Sequence, residues 1–311
     1  MEVQYLDRLN KIVEQGRIKE VIEFEENKHE YEIKKIVDNI FKNKEVKMVL
    51  IAGPSSSGKT TFAQRLGKQL QLKGLNPVTI SVDNYFVERK ENPKDENGNY
   101  DFECLEAVDI NLFNNHLLKL LKGEEIEMPT FDFEIGTKKY LGNRIKMKEN
   151  EILIIEGIHC LNDELTKLIP EEQKYKIYIS CLTSLNINEK DKISNKDIRL
   201  IRRMVRDSQF RSYNALTTLK RWDSVVEGEE KNIFPFKENA DSKFDSSLIY
   251  ELGVLKNYAV PLLDEIDNSM PEYLEAERLK RMLCFFNSIS EKYIPENSLL
   301  REFIGGSIFK Y

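Results

Sequence analysis

The chain has 311 residues, 41% of them apolar and 32% charged, with a net charge of −6 and a pI near 5.5. That length accommodates one large α/β domain with additions or two modest domains. The acidic balance argues against a nucleic-acid binder, and no uncharged apolar run approaches the ~18 residues needed to span a bilayer.

The four cysteines are widely spaced and form no C-x-x-C pair, so they read as reduced thiols. Residues 1–16 are too charged throughout for a signal peptide, and a cytoplasmic protein without membrane contact is expected. Residues 1–45 predict helices, because Tyr5, Leu6, Leu9, Ile12 and Val13, then Tyr31, Ile33, Ile36, Val37, Ile40 and Phe41, recur at helical spacing. At Met48-Val49-Leu50-Ile51-Ala52 the pattern becomes a short apolar run, as in a strand buried on both faces of a parallel sheet. Gly53-Pro54-Ser55-Ser56-Ser57-Gly58-Lys59-Thr60 follows, then a helix over 62–72 stopped by Lys73-Gly74. Val78-Thr79-Ile80-Ser81-Val82 reads as the next strand, with Asp83 at its end.

Residues 84–105 are polar and irregular, with turn signals at Asn92-Pro93 and Asn97-Gly98. A helix over 112–121 stops at Gly123, and 126–149 read as a hairpin turning at Gly142-Asn143. Ile152-Leu153-Ile154-Ile155 predicts a strand ending at Glu156-Gly157, and 175–179 another. Residues 197–231 are helical and at first basic; 245–290 are mostly helical. Strands alternating with helices predict an α/β fold with a doubly wound, mostly parallel sheet. The expected division is an N-terminal helical extension (1–45), a central α/β domain (46–255) and a C-terminal helical segment (256–311). Within the middle part, 84–150 form a substrate-side insertion, and 197–231 an arginine-bearing lid and helix.

Residues 53–60 match G-x-x-x-x-G-K-[ST] between a strand and a helix, the context that motif requires. Gly53 and Gly58 leave room for the loop to wrap phosphates, and the backbone N–H groups of Ser55, Ser56 and Ser57, with the helix N-terminus, face the anion. Lys59 is expected at the β- and γ-phosphates, Thr60 at Mg²⁺ and Thr61 as a secondary contact. No guanine-reading N/T-K-x-D is present: Asn195-Lys196-Asp197 lacks the spacer, and Asn188-Glu189-Lys190-Asp191 has the wrong order. Asp95-Glu96-Asn97-Gly98 fits D-x-x-G by letter, without an apolar strand before it.

A small-molecule kinase needs a base, a metal site and cations over the migrating phosphoryl group. Asp83, at a strand end where open α/β sheets carry function, is the candidate base; Glu156 ends another strand and can reach Mg²⁺ directly or through water. Arg199, Arg202, Arg203 and Arg206 recur at spacings of three and four, with Arg211 following, and can supply the cations.

Together these motifs resemble the uridine kinase/phosphoribulokinase family over residues 47–252. The resemblance rests on GPSSSGKT, Asp83-Asn84-Tyr85-Phe86, Tyr100-Asp101-Phe102-Glu103 with Glu106 to Asp109, Pro129-Thr130-Phe131-Asp132-Phe133, Ile155-Glu156-Gly157-Ile158 and the arginine run. Trp222-Asp223-Ser224-Val225, Glu229 to Phe236 and Tyr250-Glu251-Leu252 are similar to a bacterial uridine kinase-like subgroup. The resemblance implies ATP and Mg²⁺ as cofactors, Asp83 as base, and Thr60 and Glu156 at the metal. It implies Tyr85 and Glu103 on the substrate side, Glu103 at the ribose, and Phe131 near the nucleobase. Arg202, Arg206 and Arg211 would form the lid, with Lys59, Arg202 and Arg206 catalytic. The family's base-reading histidine has no counterpart after Phe133; His159 follows the E-G-I strand end instead.

The function these residues imply is phosphorylation of a small alcohol, first of all the 5′-hydroxyl of a uridine- or cytidine-like nucleoside. A sugar phosphate or pantothenate-like acceptor and a non-catalytic ATP-binding regulator stand as alternatives, and a homo-oligomer is left open.

Overall fold

The computed structural model describes residues 5–94, 98, 100–132, 135–183, 185–187 and 192–309. The Asp95–Asn97 part of the D-x-x-G match, Phe133 of the Pro129 motif and the stretch 188–191 lie outside them.

Five strands form one parallel sheet in the order β2 (Asn76–Ser81), β5 (Glu151–Glu156), β1 (Met48–Ala52), β6 (Lys174–Ser180), β7 (Ser242–Asp245). The continuous apolar runs have a direct cause. Val49 and Ile51 of β1, with Ile152 and Ile154 of β5, join one core cluster, while Met48, Leu50, Leu153 and Ile155 join the other. Both faces are covered, so neither face needs polar residues. The sheet and the helices flanking it make the expected α/β fold.

The helices α1 (Leu6–Glu14) and α2 (Ile18–Lys42) share the first cluster with α3 (Lys59–Leu72), α5 (Asn195–Phe210), α7 (Glu251–Asp264), α8 (Tyr273–Cys284) and α9 (Arg301–Ile304). On the other face lies α4 (Ile110–Leu121), whose N-terminus Asp109 caps by accepting the Leu112 N–H at 3.0 Å. The helix α6 (Ala215–Asn232) starts at Asn214, which caps Thr217 N at 2.9 Å. Among the described residues no helix is long and apolar enough to cross a membrane.

Two local expectations need correction. The hairpin exists as β3 (Glu125–Asp132) and β4 (Thr137–Lys146), but Gly142-Asn143 is not its turn. Gly142 sits inside β4 at φ +77°, beside a register shift opposite Glu127 and Pro129, and its N–H donates to Glu127 at 3.0 Å. The positive φ that reads as a turn serves a bulge instead. The strand β7 was not expected at all: of its four residues only Phe244 is buried, too short a pattern to register.

Candidate active site

The register puts the functional strand ends side by side. Ser81 and Ile51 both pair with Glu156, so Asp83, Glu156 and the loop after β1 share one sheet edge, with Glu156 in the middle. Asp83 sits in a short 3₁₀ turn (Val82–Tyr85) that follows β2.

The loop at 53–58 bends through Ser56 at φ +58° and Gly58 at φ +85°, and α3 starts at Lys59. Lys59 Nζ arches back to the carbonyls of Gly53 (2.9 Å) and Pro54 (3.2 Å), which holds its charge over the cradle. Three residues of α5 grip the loop from outside. Arg199 donates to Ser55 O at 3.1 Å, Arg202 to Ser56 O at 3.3 Å and Arg203 to Ser55 Oγ at 2.8 Å.

Glu229 of α6 accepts the Ser55 N–H at 2.7 Å and is clasped by both Arg199 terminal nitrogens, at 2.5 and 2.8 Å. Both partners of this ion pair are buried, and Arg199 stacks over Trp222 at 5.4 Å. A buried charge pair with its hydrogen bonds satisfied resists movement, because separating it strands one charge in a dry environment.

This corrects part of the lid expectation. Arg202 has 0% exposure, and its donors are spent on Glu251 (2.6 Å), Ser246 and the loop, with the guanidinium over Phe303. It braces the loop and does not face the cleft. Arg206 and Arg211 do gather near the acids, and with Arg203 they surround Asp207. Arg206 donates to Asp207 at 3.0 and 3.2 Å; Arg203 Nε and Arg211 Nε lie at 3.3 and 3.8 Å.

Burial pushes the Asp83 carboxyl above its ordinary range, while Lys59, Arg211 and Arg206 pull it back. Glu156 is raised by burial and by the Asp83 charge, against Lys59 and a hydrogen bond from Ser81. Glu103 is pushed up to about 7 by burial, with Arg203 opposing and Asp83 and Glu229 adding to the rise. Its side chain fills the space above Gly228, where a Cβ would lie 2.7 Å from the Glu103 Cβ. These shifts bring Asp83, Glu103, Glu156 and Lys59 into one electrostatic neighbourhood.

A divalent cation fits this donor set. Adjacent carboxylates that disfavour each other's charge are relieved by a cation, and Thr60 lies in the first turn of α3 beside Lys59. No group of three or more His, Cys, Asp or Glu able to hold a metal occurs among the described residues. Mg²⁺ does not require such a group, since it takes one or two carboxylates plus phosphate oxygens and water.

Tyr85 is a second correction. It has 0% exposure, its hydroxyl meets His116 Nδ1 at 3.0 Å and its ring packs edge-on to Phe113, so it is core and not cleft. Phe131 stands with Phe86, ring centroids 5.6 Å apart, and its N–H donates to Asn84 at 3.2 Å. His159 is buried, and burial lowers it to about 4. The residues that sequence reasoning missed are Asp207, Glu229 and Glu302, the last accepting the Thr61 N–H at 3.0 Å and its hydroxyl at 2.8 Å. Asp207 was signalled by the R-x-x-R-D spacing and Glu229 opens the segment 229–236 that shares in the subgroup resemblance, though neither was given a role; Glu302 had no local signal.

A phosphate cradle at one strand end, faced by carboxylates and arginines on its neighbours, defines a P-loop phosphotransferase. The model of the Phosphoribulokinase / Uridine kinase family matches residues 48–248, and the chain belongs to that family. It is an ATP-dependent phosphotransferase. It is 28% identical over 192 residues to a uridine kinase of Halobacterium salinarum, covering 61% of this chain and 76% of that one. A uridine kinase of Halalkalibacterium halodurans is 29% identical over 192 residues, covering 61% and 82%. Among solved structures, a possible uridine kinase from Bacillus stearothermophilus is 21% identical with a TM-score of 0.42, covering 69% of this chain and 100% of that one.

Proposed function

We propose that the enzyme transfers the γ-phosphoryl group of ATP to the 5′-hydroxyl of a ribonucleoside of the uridine or cytidine type. The observation that carries this reading is the neighbourhood of Asp83: a strand-end carboxylate within the influence of Lys59, Arg206 and Arg211. Asp83 is the base. Burial makes it a better proton acceptor than a solvated aspartate, and the acceptor hydroxyl passes its proton to the carboxylate as the oxygen attacks phosphorus. The N–H groups of residues 56 and 58–60 hold the phosphate chain, those of Ser55 and Ser57 being turned instead to Glu229 and the Pro54 carbonyl, and Lys59, Arg206 and Arg211 balance the charge that spreads over the migrating group. Thr60 and Glu156 would hold Mg²⁺, which neutralises the β- and γ-phosphate oxygens when bound.

Glu103 supports a neutral polyol as acceptor. A carboxylate at this position can accept hydrogen bonds from the hydroxyls of such an acceptor. The Phe86–Phe131 pair offers an apolar wall to a nucleobase. The names of the two relatives agree with this acceptor class.

The test is an acceptor panel with ATP and Mg²⁺, read by product mass and ³¹P NMR. The reading expects nucleoside 5′-monophosphate from uridine or cytidine. Turnover of ribulose 5-phosphate or a pantothenate-like acid with no nucleoside product would sink it.

A further inference from the structure

We infer that residues 299–303, outside the family match at 48–248, complete the nucleotide site, with Glu302 a positioning residue for the first turn of α3. The inference rests on residues 53–60 being an ATP site.

The first turn of α3 lacks its own support. Gly58 at its N-cap offers no side chain, and no acidic residue lies in the turn. Such a turn has orphan N–H groups and a partial positive charge. Glu302 reaches it from 241 residues away, takes the Thr61 N–H at 3.0 Å and fixes the Thr61 hydroxyl at 2.8 Å. Lys59 and Thr60, which must aim at phosphate and metal, ride on that same turn.

Two further contacts belong to the same segment. Leu299 packs against Gly58 so closely that a Cβ there would lie 2.4 Å from its Cδ2. Phe303, fully buried, lies under the Arg202 guanidinium at 5.1 Å, and Arg202 in turn donates to Ser56 O at 3.3 Å. The P-loop is thus met at its tip through Arg202, at its bend by Leu299 and at its helix by Glu302.

The segment is itself anchored. Arg301 donates to the carbonyls of Ile294 (2.7 Å), Glu291 (3.0 Å) and Gly305 (3.2 Å).

The test measures MgATP affinity by calorimetry without acceptor, then KM for ATP, KM for the acceptor and kcat. Glu302→Ala should weaken ATP binding and raise KM for ATP about 10- to 100-fold, the worth of a hydrogen bond to a charged group. KM for the acceptor should stay unchanged. Glu302→Gln, whose carbonyl oxygen still accepts from both Thr61 donors, should recover most of the affinity. If Glu302→Ala does not fold, Leu299→Ala carries the same expectation in the same direction.

A lowered Tm with unchanged ATP affinity in both variants would mean a purely structural role and overturns the inference. Tighter ATP binding in Glu302→Ala also overturns it, by showing that the carboxylate competes with phosphate. Wild-type protein that binds no ATP would remove the site reading and this inference with it; wild-type binding matched by the variants removes only the inference.

Discussion

Glu103 gives the sharpest test of the site's electrostatics, because its carboxyl is moved from 4.5 to about 7 in the folded protein. The largest cause is burial against α6, and the charges of Asp83 and Glu229 add to it. A rise of that size means that the ionised form costs the free enzyme about 3 kcal/mol, an order-of-magnitude figure. A carboxyl raised on folding contributes its stability at low pH. That contribution is complete below about 4.5, is lost as pH climbs through about 7, and changes no further above that.

Glu103→Gln removes the ionisation. The variant should therefore be more stable than the wild type at pH 8, by up to about 3 kcal/mol and several degrees in Tm. At pH 5 the advantage should shrink below about 1 kcal/mol. The same change removes the carboxylate proposed to face the acceptor and should raise KM for the acceptor while sparing ATP. Thermal unfolding of nucleotide-free protein at pH 5, 6.5 and 8 reads the first effect. A Tm gap independent of pH, or a variant less stable at pH 8, would refute the claim that buried like charges load this site.

Three other perturbations divide the roles further. Asp83→Asn should lower kcat about 10²- to 10⁴-fold, the usual share of general-base catalysis, while calorimetry shows ATP affinity little changed. Glu229→Gln strands Arg199 in a buried position and should cost about 3–5 kcal/mol in urea unfolding, whereas Glu229→Leu combined with Arg199→Met should recover much of that loss. Tyr85→Phe should cost about 1–3 kcal/mol by unpairing His116, with steady-state constants for both substrates unmoved; a raised acceptor KM would return Tyr85 to the cleft.

The parts of the fold legible in the sequence were those whose signal is local. Met48 to Ala52, the GPSSSGKT loop and the helix after it carry their pattern within two dozen residues, and the sheet places them as that pattern implies. Glu156 and Asp83 could be put at one edge because strand ends in a parallel sheet share an edge. Periodicity failed where one pattern admits two uses. Arginines at spacings of three and four share a helix face, but the spacing does not say what that face meets. Here Arg199 and Arg202 meet the loop and buried glutamates, and Arg206 and Arg211 meet Asp207 beside the acids. Gly142 likewise signals positive φ, which a bulge needs as much as a turn. The contacts of Glu229 and Glu302 were out of reach, since their partners lie 174 and 241 residues away and only the folded chain brings them together.

The central claim is that a phosphoryl group held at residues 53–60 is handed to an alcohol activated by Asp83. Following the label from γ-labelled ATP with Mg²⁺ and uridine tests it most directly. The account predicts label in the 5′-phosphate of the nucleoside for the wild type and almost none for Asp83→Asn at saturating ATP. Label that stays on ATP, or appears only as inorganic phosphate while nucleotide binding is intact, would contradict it.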